Sequence, residues 1–421
     1  MTSKAEQPTS VPLAESVTPA DIDAAAKRIA GGIYRSPCPP SIPLSELTGC
    51  EIFCKLDLLQ RTGSFKERGA RNALLLLDQD QRGRGVVAAS AGNHALGLAY
   101  HGKLLGIPVT VVMPRFAPLV KVATCRRLGA RVLLEGETFE DARKRAVELA
   151  AADGLRLIHG FDDAEVIAGQ GTAALEVLDD VPEADAIVVP TGGAGLLAGV
   201  AVAAQARRPS IRIISVEAAA AASFTASLAA GRPVEAPVRP TLADGLAVGK
   251  VGERAFTLAA PRVDRVVTVD EQALSRAVLR LLELEKTVCE GAGAAALAAV
   301  MGPLGQELAG RKVVLLLCGG NIDPTILHRV IDHGLAADSR LWRFTAHVSD
   351  RPGGIARLTA AIAEAGASVL EIKHDRAFSG PDVFSTTVEV TVETADRDHV
   401  TRLYQQLRDG GFQVIPSTGP R

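Results

Sequence analysis

The chain reads as an α/β protein with a smaller β-α-β-β-α-β segment at its C-terminal end. Two patterns predict this. From Gly85 to Asn321, short β-branched runs alternate with Ala/Leu-rich stretches, and the runs are apolar throughout rather than alternating. Strands buried on both faces of a parallel sheet have that signature, and the intervening stretches are long enough for right-handed crossover helices. After Asn321 the pattern changes to short strands and two helices within about 80 residues, the ferredoxin-like order.

The N-terminal stretch Met1 to Ser16 is polar and lacks an apolar core, so residues 1–18 read as a flexible tail rather than a signal peptide. The strands of the α/β body are expected at Val86–Ser90, Val109–Pro114, Arg131–Glu135, Ala186–Pro190, Ile211–Glu217, Arg265–Val269 and Lys312–Leu317. Helices such as Asp141–Ala152 and Gln272–Leu284 connect them, and Pro324–Ala337 closes the body, which is assigned residues 19–337 with a smaller nested lobe over roughly 60–160. The second domain, residues 341–421, takes strands at Leu341–Ser349, Ser368–Asp375, Val383–Val392 and Phe412–Ile415, with helices at Gly354–Ala365 and His399–Arg408. In the third of these strands Val388, Val390 and Val392 fall on one face. Pro352, in Asp350-Arg351-Pro352-Gly353-Gly354, suits a first helical turn. Ala365-Gly366-Ala367 turns into the strand that ends Lys373-His374-Asp375-Arg376.

Composition excludes several functions. Charged residues are 22% of the 421, and the formal net charge is -2, so no basic excess points to nucleic acid or anionic membrane. Aromatics are only 4%, too few for base-stacking platforms. The longest apolar segments, around Ala194 to Ala206, are short and interrupted by glycine, so no membrane span is expected. The six cysteines are scattered without paired metal-ligand spacing, and reduced thiols in a cytoplasm are the expectation.

Four passages carry chemistry. Thr62-Gly63-Ser64-Phe65-Lys66-Glu67-Arg68-Gly69-Ala70 puts one lysine on a tight turn at the mouth of a helix. A partly desolvated lysine there has a lowered pKa, and its neutral amine can form a Schiff base or take a proton. Ala89-Ser90-Ala91-Gly92-Asn93-His94 follows a strand and opens a helix. Its backbone amides can receive a carboxylate and Asn93 can bond a phenolic oxygen, or the turn simply caps the helix. Pro190-Thr191-Gly192-Gly193-Ala194-Gly195-Leu196 is again strand, glycine-rich loop and helix. It suits a phosphate at the positive end of a helix dipole, or close strand–helix packing; it matches neither the ATP nor the NAD fingerprint. Leu315-Leu316-Leu317-Cys318-Gly319-Gly320-Asn321 ends a buried strand, where open parallel sheets gather their sites. Cys318 is either a small buried hydrophobe or a weak, uncharged hydrogen-bond partner of a cofactor.

Together with Gly169-Gln170-Gly171-Thr172, Thr241-Leu242-Ala243-Asp244-Gly245 and Glu290-Gly291-Ala292-Gly293-Ala294, these passages resemble the fold type II pyridoxal phosphate enzymes over roughly Leu44 to Asp323. The resemblance is closest to the threonine ammonia-lyase (threonine dehydratase) family. It implies two open, twisted, mainly parallel sheets flanked by helices. It also implies that Lys66 carries pyridoxal 5'-phosphate, that Phe65 lies beside the ring, and that Asn93 reaches the 3-oxygen. By the same resemblance Gly192, Gly193, Ala194 and Gly195 hold the phosphate, Cys318 faces the pyridine nitrogen, and Ser90, Ala91, Gly92, Asn93 and His94 bind the amino-acid substrate. A thiol at the nitrogen leaves the ring a weaker electron sink than a carboxylate would, which β-elimination tolerates better than transamination does. The implied reaction takes L-threonine to 2-oxobutanoate and ammonia, and L-serine to pyruvate. The C-terminal segment resembles an ACT domain, which implies an amino-acid effector, isoleucine or valine by family pattern, and a homodimer or homotetramer. A plain dimerisation module is the alternative there.

The sequence departs from the family at two points. The phosphate loop usually has four glycines, and here the third is Ala194, whose methyl group either crowds the phosphate or is absorbed by a backbone with φ < 0. Ala95-Leu96 stands where Ala-Gln is usual. Serine racemases carry a serine as second acid/base where this chain has Ala91, so elimination is favoured over racemisation. Glu217 matches one ligand of the racemase divalent-metal site, but Ala218 to Ser223 supply no second carboxylate, so no divalent metal is expected, and a monovalent cation near Glu217 is left open. A β-replacement enzyme and an amino-acid sensor with a degenerate cofactor site are the competing readings.

Overall fold

The computed structural model describes residues 16–375 and 385–417 and divides into two compact units, residues 1–322 and 323–421. Residues 1–15 of the expected tail, the expected strand residues Val383 and Phe384, and Arg376 lie outside the described residues. The tail expected over residues 1–18 does not extend that far, because Val17 is buried in the core and Thr18 caps helix Pro19–Ile29.

The first unit is built on two sheets. A two-residue strand β1 (Pro40–Ser41) pairs antiparallel with β2 (Glu51–Lys55). The chain then leaves to form a second sheet from β3 (Val86–Ala89), β4 (Val109–Met113), β5 (Arg131–Leu134) and β6 (Arg156–Leu157), parallel throughout in the order β5-β4-β3-β6. It returns with β7 (Ala186–Pro190), β8 (Arg212–Ala218), β9 (Arg265–Val269) and β10 (Lys312–Leu316), completing a six-stranded sheet β1-β2-β10-β7-β8-β9. Only the β1–β2 pairing is antiparallel. All five residues of β4 and of β7 are buried, Thr110 of β4 included, whereas the edge strands β5 and β9, contrary to expectation, are not buried throughout.

Glycines set how closely the helices between the sheets approach. A Cβ on Gly169 would lie 2.6 Å from Gly69 Cα, and one on Gly171 would lie 2.7 Å from Gly199 O. Helix Ala164–Asp180 therefore packs directly on helices Lys66–Leu75 and Gly195–Arg207. The amide of Gly69 also donates to Gln170 Oε1 at 3.2 Å. This packing accounts for the Gly-Gln-Gly-Thr passage.

The second unit runs β11 (Leu341–Ser349), helix Gly354–Glu364, β12 (Ser368–Asp375), β13 (Ser385–Glu393), helix Arg397–Asp409 and β14 (Gln413–Pro416). The sheet is antiparallel in the order β12-β13-β11-β14. Trp342, Phe344, Ala346 and Val348 alternate inward along β11 and meet Val388, Val390 and Val392 of β13, with Leu358, Ile362, Leu403 and Leu407 from the helices. The helix starts at Gly354 as expected, which leaves Pro352 before its first turn rather than in it. Gly353 caps it with φ 93°, and a Cβ on Gly354 would collide with Ser349 O at 2.0 Å. Helix Pro324–Ala337 groups with this unit rather than closing the first, because it packs on β11.

Candidate active site

The four passages picked out from the sequence meet at one cavity of about 1240 Å³ in the first unit. Phe65, Lys66, Ser90, Ala91, Gly92, Asn93, His94, Gly192, Gly193, Ala194, Gly195 and Cys318 all line it. The convergence follows from topology, since the turns after β3, β7 and β10 all lie at C-terminal strand ends. Glu217 does not line the cavity. Its carboxylate accepts from the Phe224 and Thr225 amides at 2.7 and 2.8 Å, and among the described residues no cluster suited to a metal ion occurs.

Lys66 opens helix Lys66–Leu75. The turn before it is stitched to the strand-end loop after β10: Phe65 N donates to Cys318 O (3.0 Å), and Gly320 N donates to Gly63 O (2.9 Å). Gly63 is needed twice there, for its φ of 79° and because a Cβ would lie 2.5 Å from Asn321 Oδ1. The Lys66 Nζ donates to Gly160 O at 2.6 Å. Desolvation at the cavity floor lowers its pKa to about 8, with Cys318 and Glu290 acting in the opposite direction. The amine is thus poised far closer to neutrality than a surface lysine.

Asn93 opens helix Asn93–Leu105 and is held from two sides. Its Nδ2 donates to Glu290 Oε1 and its Oδ1 accepts from Asn321 Nδ2, both at 2.8 Å. Burial pushes the His94 imidazole down to about 3, helped by Lys66, so it is neutral; Nε2 meets Ile158 O at 3.2 Å, and Nδ1 is buried with no partner among the described residues. Ser90 Oγ accepts from Gly92 N at 3.2 Å. Cys318 is a neutral thiol, since burial raises its pKa far above the usual range.

At the glycine-rich loop, helix Gly195–Arg207 starts after Ala194, whose φ is 68°. The backbone amides of Gly192, Gly193 and Ala194 have no hydrogen-bond acceptor among the described residues. Cβ atoms on Gly193 and Gly195 would strike Phe161, at 2.3 Å from the ring and 2.4 Å from its carbonyl oxygen. Both close packing and a donor-rich helix start are therefore built into this loop. Of the two readings of the Ala194 methyl group, absorption by a negative φ does not apply, because the position is left-handed. Ala194→Gly should relieve about 1–2 kcal/mol of αL strain against about 0.4–1 kcal/mol of added unfolded-chain entropy. A net stabilisation of roughly 0.5–1 kcal/mol, read as a higher urea midpoint, is the expected result.

Sequence reasoning missed Glu290 as a wall of this cavity, although it quoted the passage containing it. It also missed Lys121 and Asp244, whose 2.9 Å ion pair sits on the same wall. Glu290 and Asp244 each directly precede a glycine, whereas Lys121, between two valines, carried no such signal.

Pyridoxal phosphate fits this constellation. It needs a desolvated amine, acceptor-free amides at a helix start for its phosphate, and uncharged partners for its ring. Lys66, Gly192 to Gly195, and Asn93 with Cys318 supply these. The sequence pattern described as "Pyridoxal-phosphate dependent enzyme" matches residues 29–319. The chain is 42% identical to the L-threonine ammonia-lyase of Thermotoga maritima over 398 residues, covering 94% of this chain and 99% of that one. Among solved structures it resembles maize serine racemase, with a TM-score of 0.72, 35% identity, and 77% and 99% of the two chains covered. It also resembles the processed form of threonine deaminase isoform 2 from Solanum lycopersicum, with a TM-score of 0.71, 36% identity, and coverage of 75% and 91%. Cavity, cofactor fit and kinship agree: the chain belongs to the fold type II pyridoxal-phosphate-dependent enzymes.

Proposed function

We propose that this chain is an L-threonine ammonia-lyase that also accepts L-serine. The observation that carries the reading is the desolvated Lys66 amine, on a cavity that also presents the amides of the 192–194 loop; among the described residues the amine has no carboxylate partner and the amides have no acceptor. The kinship to threonine ammonia-lyases over nearly the whole of both chains supports it.

Pyridoxal phosphate, when bound, supplies a sink for the electron pair released at the substrate Cα. The protein's part is positioning and proton transfer. Amides of the 90–94 turn, at the start of helix Asn93–Leu105, take the substrate carboxylate. Amides of the 192–195 loop take the cofactor phosphate at the positive end of helix Gly195–Arg207. The Lys66 amine, once free, removes the Cα proton as general base. The β-hydroxyl then leaves as water, its proton balanced by the one Lys66 has taken from Cα, and hydrolysis of the released enamine gives 2-oxobutanoate and ammonia. Ala91 on the cavity wall offers no second acid/base, which favours elimination over racemisation.

The second unit is read as an ACT-type regulatory domain on the strength of its βαββαβ order and antiparallel sheet, with an amino acid as effector. The test of the catalytic reading is keto-acid release by the cofactor-loaded enzyme. One 2-oxobutanoate and one ammonia per L-threonine, and pyruvate from L-serine, are expected. No keto acid despite a lysine-bound chromophore would overturn it, and a sulfide-dependent product would point to β-replacement.

A further inference from the structure

Glu290 sits at the N-cap of helix Gly291–Val300, yet its side chain makes no capping bond to that helix. It turns onto the cavity wall and is 5% exposed. Its Oε1 accepts from Asn93 Nδ2, and the other end of the same amide is fixed by Asn321, whose Nδ2 also donates to Thr62 O at 2.6 Å. Rotating the Asn93 amide by a half-turn would set donor against donor and acceptor against acceptor. Asn93 therefore has one orientation, and one N–H of its Nδ2 remains unspent. The space for the carboxyl is kept open by glycine: a Cβ on Gly319 would lie 2.1 Å from Glu290 Oε1.

We infer that Glu290 is a positioning residue of this reaction, a carboxyl that fixes the Asn93 amide and works in its neutral form. The inference rests on the cofactor reading above. The surroundings favour that form. Burial is the largest influence and Asp244 adds to it, while Asn93, Lys121 and the Asn321 amide offset them in part, leaving the pKa raised to about 7. Lys66 and Cys318 face the same space, and among the described residues no cation pairs with Glu290. Neutral Glu290 still accepts from Asn93 through its carbonyl oxygen. Ionised, it sets a negative charge beside Asn93 and holds a proton on Lys66, the opposite of what a general base needs.

The test compares wild type, Glu290→Gln and Glu290→Asp as cofactor-loaded full chains. Glutamine keeps the acceptor and stays neutral at every pH. Aspartate keeps the titration but, one methylene shorter, draws back from Asn93. In wild type without substrate, the absorbance of the lysine-bound chromophore should titrate near pH 7, and kcat should fall on the alkaline side of the same transition. Both features should vanish in Glu290→Gln with kcat near wild type at pH 6. Glu290→Asp should titrate but lose about tenfold in kcat, the effect of one buried hydrogen bond. A Glu290→Gln enzyme with the wild-type absorbance and rate profiles would overturn the inference, as would a Glu290→Asp enzyme with wild-type kcat. A wild type that forms no lysine-bound chromophore would overturn the cofactor reading itself, and this inference with it.

Discussion

Replacing Lys66 with alanine is expected to cut 2-oxobutanoate release by about ten-thousandfold, the upper range for a positioned general base, and to abolish the lysine-bound absorbance. Three lysines line the cavity, and two are already engaged: Lys121 with Asp244 and Lys250 with Glu253, each at 2.9 Å. Lys66 alone of the three has no carboxylate in ion-pair range among the described residues, and its amine bonds only a carbonyl oxygen. A lysine paired to a carboxylate keeps its proton; one that desolvation has brought to about 8 gives it up far more readily. The substituted chain should keep its fold, because Lys66 starts a helix whose inward face is formed by Arg68, Gly69, Asn72 and Ala73. Circular dichroism checks that point. Residual activity within about tenfold of wild type would transfer the base role to another residue and end the present assignment.

The parts of the fold that were legible are those where one side-chain property settles the environment. Ala186–Pro190 and residues 313–316 are apolar throughout, and a run with no polar face has to be buried on both sides. Glycine-rich turns after strands place the 90–94 and 192–195 residues and Cys318 at strand ends around one cavity, and the turn that carries Phe65 and Lys66 is brought there by its hydrogen bonds to the loop after β10. What escaped was decided by long-range partners. Glu51–Lys55 begins and ends in charge and does not look like a strand, yet it pairs with β10 along its whole length. Lys55 is fully buried there because its Nζ reaches Glu176 Oε2 at 2.6 Å and Ser36 O at 2.5 Å. β6 has only two residues and exists because β3 offers an edge. Glu290 read as a helix start, and only its distance to Asn93 shows where the carboxyl goes.

Arg68 is the position where a substitution should cost the fold most. It follows Lys66 by two residues, is 0% exposed, and spends all five N–H groups. Nε and Nη2 reach Asp57 at 2.7 and 2.8 Å, Nη1 and Nη2 reach Glu176 at 2.7 and 2.8 Å, and Nη1 reaches Thr172 at 3.1 Å. Arg68→Met fills similar volume but leaves the Asp57 carboxylate buried without its bidentate partner, which should destabilise the chain by about 3–5 kcal/mol. The pH dependence separates this from loss of packing. Burial alone would raise the Asp57 pKa, yet the Arg68 guanidinium and its hydrogen bonds outweigh burial, so the folded-state value lies below the ordinary 3.8. In wild type Asp57 thus contributes stability above that ordinary value and loses it as the pH falls through the folded-state value. Without Arg68, burial dominates and the pKa moves above 3.8, so the sign reverses and the fold weakens as the pH rises. Urea midpoints should therefore differ more between wild type and Arg68→Met at pH 7 than at pH 4. The Asp57→Asn/Arg68→Met double substitution should recover part of the loss at pH 7, because it removes the stranded charge. A deficit independent of pH, unrelieved by the second substitution, would mean that Arg68 serves the core by its bulk, and that its charge matters little to the helix that presents Lys66.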